Sequence, residues 1–140
     1  MKISIGADHG GYRLKEIVLR FIEELGHQVT DRGTDSEKSV NYPDFAKAVT
    51  EDVLCGKADR GILICGTGIG MSMAANRKKG IRAALCQECF SARMSREHNN
   101  ANVLCLGERV TGSGLATEIV RTWLNTEFAG GRHLQRIEMF

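Results

Sequence analysis

Residues 61–70 read Gly61-Ile-Leu-Ile-Cys-Gly-Thr-Gly-Ile-Gly70. A short apolar run ends on Cys65 and passes directly into a glycine-rich turn, after which Met71-Ser-Met-Ala-Ala-Asn76 opens a helix. Strand, glycine turn and helix N-terminus, in that order, are the front half of a βαβ unit. Such a junction leaves several backbone N–H groups without helical partners, all directed at one place, which suits an anion. A helix N-terminus also favours the thiolate form of a neighbouring cysteine. One loop therefore offers a base or nucleophile together with a seat for negative charge.

The same alternation extends in both directions. Lys2–Gly6 reads as a buried strand, and after Gly10-Gly11 a helix carries Leu14, Ile17, Val18, Phe21, Ile22 and Leu25 as one apolar stripe, stopped by Gly26. His27–Asp31 is a second strand and residues 33–43 a polar loop holding the single proline. A helix begins near Pro43 with Phe45, Ala46, Val49, Val53 and Leu54 on its inner face. Downstream, residues 69–78 form a helix, 81–85 a strand, 88–97 a helix and 103–106 a strand. The last helix, 113–128, carries Leu115, Ile119, Val120, Trp123, Leu124 and Phe128 on one side. Strands alternating with helices predict an α/β fold: a three-layer αβα sandwich around a Rossmann-like, doubly wound, five-stranded parallel sheet. Residues 1–140 are expected to form a single domain, with the glycine-led tail 130–140 as an arm outside the core.

Bulk composition narrows the function classes. At 140 residues the chain can bury a core without staples, and 42% hydrophobic with 26% charged residues is ordinary for a globular protein. A net charge of +2, from 19 basic and 17 acidic residues, and few aromatics argue against nucleic-acid binding. No segment reaches the roughly 18 apolar residues of a membrane span, and the N-terminal apolar run is too short for a signal peptide. Five cysteines, an odd number, read as free thiols in a cytoplasmic protein.

In doubly wound sheets ligands gather at the carboxyl ends of the strands. That rule collects Asp8 and His9 after the first strand, Cys65 and Gly66–Gly70 after the third, Gln87 and Glu88 after the fourth, and Glu108 and Arg109 after the fifth. The loop admits three chemistries. A thiol phosphatase needs an arginine where Met71 stands, so that reading fails. A dinucleotide fingerprint needs G-x-G-x-x-G, and Gly66-Thr-Gly-Ile-Gly70 misplaces the third glycine, although Glu88 could serve as its ribose acid. The third makes Cys65 a general base and the turn an oxyanion hole, with the Thr67 hydroxyl as a further donor, which fits proton abstraction beside a carbonyl. Asp8-His9 could move protons or orient hydroxyls, or serve only as turn chemistry. His98, in Glu-His-Asn-Asn100, reads by default as a solvated helix end. Arg132 and Arg136, four apart, would share one helix face and could clamp a phosphate. Cys86-Gln-Glu-Cys89 lacks the companion ligands of a zinc site, so no metal is expected.

Taken together, Gly6-Ala-Asp-His-Gly-Gly-Tyr12, Asn41-Tyr-Pro-Asp44, Gly61–Gly70, Ala74-Ala-Asn76, Ser95–Asn100, Asn102-Val103 and Gly130-Gly-Arg-His133 with Arg136 resemble the ribose-5-phosphate isomerases of the B type. That family includes allose-6-phosphate isomerase and the galactose-6-phosphate isomerase subunits, and the matching pieces run in order along nearly the whole chain. The resemblance implies a cofactor-free aldose–ketose isomerase working on a phosphorylated sugar through a cis-enediolate. It implies Cys65 as the base between C2 and C1, and Gly66, Thr67, Gly68, Ile69 and Gly70 around the enediolate oxygens. It also implies His98 as the ring-opening residue, assisted by Asp8. His9, Asn99, Arg109, Arg132 and Arg136 would position hydroxyls and phosphate, with Tyr42 lining the pocket. One branch of the family lacks the cysteine and carries a glutamate at the position of Met71, so this chain resembles the cysteine branch. The family builds its site between subunits, which implies a homodimer or homotetramer with the tail reaching a neighbour. A nucleotide- or sugar-phosphate-binding module without catalysis is the alternative of another class.

Overall fold

The computed structural model describes residues 1–140. Strands β1 (Lys2–Ala7), β2 (Gln28–Asp31), β3 (Arg60–Cys65), β4 (Ala83–Leu85) and β5 (Val103–Gly107) form one sheet in the order β2-β1-β3-β5-β4. All neighbouring pairs are parallel, so each connection is a crossover and carries a helix. These are α1 (Tyr12–Glu24), α2 (Tyr42–Leu54), α3 (Ile69–Ala75) and α4 (Cys89–Glu97), followed by α5 (Ser113–Asn125) and α6 (Arg132–Ile137). The chain leaves β1 on one side to reach β2, then returns past it to β3. The winding direction reverses between β1 and β3, where doubly wound sheets open a crevice at their carboxyl edge.

Side chains alternate along each strand and supply two cores. Ile3, Ile5, Ile62, Ile64, Leu104 and Leu106 meet Leu14, Val18 and Ile22 of α1 and Ile119, Val120 and Trp123 of α5. On the other face Leu63, Cys65, Val103 and Cys105 meet Ala46 and Val49 of α2 and Met71 and Ala75 of α3. The expected αβα layering and parallel sheet are therefore present. No helix is long and apolar enough to cross a membrane.

Several boundaries differ from the sequence expectation, each for a specific physical reason. Ile17 (44% exposed) and Leu115 (45%) lie outside the core. Each stands one position, about 100° of helix, away from a buried neighbour, Val18 or Ala116. Leu54, the last residue of α2, overhangs the sheet and is also exposed. Helix α3 stops at Ala75 rather than 78 because Asn76 turns its amide onto β4: Nδ2 donates to the Ala83 carbonyl at 2.9 Å and Oδ1 accepts the Ala83 N–H at 2.8 Å. Strand β4 begins at Ala83 rather than 81 because the Arg82 N–H is taken by Asn102 Oδ1 at 2.8 Å. Helix α5 ends at Asn125 rather than 128, where Thr126 turns extended and Arg60 Nη1 caps the Trp123 and Leu124 carbonyls at 3.0 and 2.9 Å. The tail is not featureless: after Gly130 and Gly131 it forms α6, a helix with no buried residue.

Candidate active site

Cys65 closes β3 and is 6% exposed. The Gly68 N–H donates to its Sγ at 3.1 Å. Gly68 has φ of +77°, and a Cβ there would stand 2.5 Å from Leu85 Cδ1 and 3.0 Å from the Leu106 carbonyl oxygen, so only glycine fits. That conformation is what turns the amide onto the sulfur. Thr67 Oγ1 accepts the Ile69 N–H at 3.3 Å, which leaves its hydroxyl proton free to donate outward. The turn is locked from β5, where the Glu108 N–H donates to the Cys65 carbonyl at 2.9 Å and the Arg109 N–H to the Gly66 carbonyl at 3.0 Å. Cys105, one strand over, has no such surroundings; complete burial drives its thiol far upward.

Four further sequence candidates assemble around this turn. Asp8 is buried beyond β1, with Oδ1 accepting the Gly10 N–H at 2.9 Å. The loop lies flat on the end of β3: a Cβ on Gly11 would come within 2.6 Å of the Ile64 carbonyl. His9 Nδ1 accepts the Val40 N–H at 3.2 Å, placing the proton of a neutral ring on Nε2. Val40 belongs to the polar loop, which buried Lys15 anchors through the Thr34 carbonyl (2.9 Å) and Asp31 Oδ2 (2.6 Å). Burial alone would push the Lys15 ammonium down, but Asp31 and Glu16 outweigh it and the net shift is upward. The Tyr42 ring rests against Gly70, with Cζ 2.9 Å from where a Cβ would stand. Arg109 runs along Gly66, its Cδ and Nε 3.4 Å from the equivalent point.

The remaining candidates stand elsewhere. Along β5, Val103 pairs with Gly61 and Gly107 with Cys65, four residues or about 13 Å further along the strand. His98 and Asn99 precede Val103, at the amino edge of the sheet, so one chain does not bring them to Cys65. There His98 stacks on His133, ring centroids 4.2 Å apart and planes 7° apart. Arg132 and Arg136 flank His133 on α6 and are exposed. Loss of solvation, then repulsion from the neighbouring His98, Arg132 and Arg136 side chains, holds His133 below the ordinary imidazole range. Glu88, the ribose acid of a dinucleotide reading, instead caps α4, accepting the Phe90 and Ser91 N–H groups at 2.5 and 2.6 Å.

Three residues hold these parts through contacts that sequence reasoning did not foresee, Glu108 among them although it was gathered with the strand ends. Glu108 Oε2 accepts the Leu14 N–H at 2.9 Å and so ties the end of β5 to the first turn of α1. Arg96, buried, donates from Nη1 to Asn100 Oδ1 (2.9 Å) and the Ala101 carbonyl (2.6 Å), and from Nε to the Thr126 carbonyl (3.3 Å). Burial and the facing Arg60 push its guanidinium down to about 10. Both arginines lie over the Trp123 ring. His133 is the third. Spacing reaches only the Arg96 contacts to Asn100 and Ala101; the other partners lie on different elements.

No group of three or more His, Cys, Asp or Glu side chains gathers as a metal site. No surface groove is lined by the Cys65 turn; the roomiest, about 450 Å³, lies at the other edge between Arg82, Ala84, Ser95, Asn99 and Phe140. The fold and the thiol held by a backbone amide define an α/β protein with a candidate site at the carboxyl edge of its sheet.

Comparison with known proteins is consistent with that class. The model of the family described as Ribose/Galactose Isomerase matches residues 3–140. Ribose-5-phosphate isomerase B of Escherichia coli is 49% identical, over 98% of this chain and 92% of its own. A D-erythrulose-4-phosphate isomerase of Pectobacterium atrosepticum is 43% identical, over 99% and 91%. The solved structure of Clostridium thermocellum ribose-5-phosphate isomerase B superposes with a TM-score of 0.98 at 57% identity, covering 99% of this chain and 94% of that one. The chain belongs to the Ribose/Galactose Isomerase family and is an isomerase.

Proposed function

We propose that the protein interconverts ribose 5-phosphate and ribulose 5-phosphate, with Cys65 as the general base. The observation that carries this reading is the Gly68 N–H donated to Cys65 Sγ at the mouth of a glycine turn. That amide fixes the sulfur and gives a negative sulfur an electrostatic partner. In the open-chain aldose, the thiolate removes the proton on C2. The C–H electrons form the C1–C2 double bond and the carbonyl pair moves onto O1. N–H groups of Gly66–Gly70 and the free Thr67 hydroxyl proton receive that charge. The thiol then returns the proton to C1 while a proton passes from O2 to O1, leaving the ketone at C2. No outside oxidant or reductant enters.

Ring opening comes first and falls to His98 with Asp8: a proton leaves the C1 hydroxyl, the C1–O4 bond breaks, and O4 is protonated. Within one chain these residues lie at opposite edges, so the complete site takes its second half from another copy. His98, Asn99, Arg132 and Arg136 of one subunit would face Asp8, His9, Tyr42, Cys65 and Arg109 of its partner in a homodimer or homotetramer. The tail 130–140 serves as the arm that carries the arginines to the phosphate. All five cysteines are free, as a cytoplasmic enzyme requires.

A six-carbon substrate, allose 6-phosphate or galactose 6-phosphate, is the nearest variant, and the erythrulose phosphate relative extends the range to four carbons. Incubation with ribose 5-phosphate in deuterated water tests the reading. Ribulose 5-phosphate should form, with some deuterium at C1; binding without turnover would instead identify a non-catalytic module. Comparing kcat/KM across four-, five- and six-carbon aldose phosphates assigns the substrate.

A further inference from the structure

His98 has an unusual support for a residue assigned to proton transfer. Neither of its ring nitrogens makes a hydrogen bond within the chain; the nearest polar contact is Glu97 Oε1, 3.8 Å from Nε2. Acid–base histidines ordinarily owe their ring orientation to a hydrogen bond on the second nitrogen. Its backbone, by contrast, is firmly held. The His98 N–H donates to the Met94 carbonyl at 2.9 Å, Arg96 grips Asn100 and Ala101, and the Ala129 N–H donates to the Glu97 carbonyl at 3.0 Å. Only the side-chain torsions are left, and the side chain is 40% exposed. The contact that restrains them is the His133 ring, parallel within 7° at 4.2 Å.

We infer that His133 is a positioning residue, which by stacking on His98 fixes the plane from which His98 delivers and takes protons during ring opening. The inference rests on the proposed isomerase reading. His133 has a second connection: α6 also carries Arg132 and Arg136. The six-residue helix that would present the two arginines to a phosphate is thus the same one that holds the stacking ring on His98. Phosphate recognition at one end of the sugar is thereby coupled to proton transfer at the other. A face-to-face stack of two imidazoles requires planarity, not volume, and a flat apolar ring can replace His133 where a branched aliphatic cannot.

The test compares His133→Phe, His133→Leu and His133→Ala in the full-length protein. Helix α6 has no buried residue, so none of the three should alter folding. With ribose 5-phosphate, His133→Leu and His133→Ala should lose about tenfold or more in kcat, as expected for a misaligned reacting group. KM should stay nearly unchanged, and His133→Phe should recover most of the loss. Equal losses in Phe and Leu, a loss confined to KM, or full activity in Leu would each overturn the proposal. Proton NMR of the His98 Hε1 resonance keeps the two readings separable. The stacked partner's ring current should be retained in His133→Phe and lost in His133→Leu, whether or not ribose 5-phosphate is turned over. An Hε1 position identical in all four proteins refutes the stack itself, whereas a normal stack without turnover in the wild type refutes the isomerase reading.

Discussion

The two edges of the sheet are built on opposite principles. At the carboxyl edge the chemistry is held by main chain: a left-handed glycine, an amide on a sulfur, two inter-loop backbone bonds and glycines thin enough for loops to touch. At the amino edge it is held by long side chains, with Arg96 and Arg60 reaching across α4, α5 and the segment 98–101 and two histidine rings lying face to face. Backbone construction leaves little freedom and would suit the proposed base, which must meet one particular carbon. Side-chain construction is more pliable and would suit the groups that, in the proposed assembly, act on a neighbouring subunit.

The sharpest way to break this comparison is to remove one group from each edge. Cys65→Ala should cut kcat by about 10²–10⁴-fold while inorganic phosphate binding persists; surviving turnover would mean another base. His98→Asn should be comparably impaired on ribose 5-phosphate. Mixing the two variants under conditions that exchange subunits should restore activity, since a mixed dimer carries one site with both groups intact. A site confined to one chain would stay silent in the mixture.

Next in size is Gly68→Ala. The substitution forces a Cβ into Leu85 and the Leu106 carbonyl at positive φ, and should cost about 2–3 kcal/mol by thermal melting. It also swings the amide off the sulfur, so activity should fall further than stability accounts for. Arg96→Met belongs to the other edge. It leaves the Ala101 and Thr126 carbonyls without their donor and should cost about 2 kcal/mol by denaturant titration. Turnover should fall with it through the loosened His98 segment, whereas Cys65-dependent deuterium exchange into ribulose 5-phosphate, an open-chain ketose, should be spared.

The smallest effect concerns acid stability, away from both edges. Arg32, at 2.7 and 2.9 Å, and then Ser4 hold the buried Asp52 carboxyl below its usual range. A carboxyl depressed by folding stabilises above its unfolded value, 3.8, and that contribution is lost as pH falls through the lower folded value. Asp52→Asn should therefore lower stability by about 1 kcal/mol at neutral pH. The gap to wild type should close as denaturation is measured nearer pH 3. A gap independent of pH would show that packing, not charge, is what Asp52 supplies.

The contrast between the edges also explains what was legible beforehand. The layering and parallel sheet could be read because apolar runs and glycines repeat locally, and Cys65 stood out because its glycines are its neighbours in sequence. The gathering of Asp8, His9 and Arg109 followed from the rule that strand ends converge, whereas Tyr42, at the start of α2, came only from the family resemblance. Nothing local marks the stack of His98 on His133 or the reach of Arg96 to Thr126, because those contacts depend on how α4, α5 and α6 dock. The boundary errors have the same origin: Asn76 and Asn102 end or delay elements by bonding to distant main chain, and an asparagine carries no advance sign of its partner.

The Asn76 amide has one more consequence. By occupying both the donor and the acceptor of Ala83, it gives β4 a side chain where an open edge would accept a strand from a neighbouring molecule. Copies of this chain are thus discouraged from growing sheet to sheet along that margin. A small amide guards the difference between a sheet that ends within one molecule and one that could continue into the next.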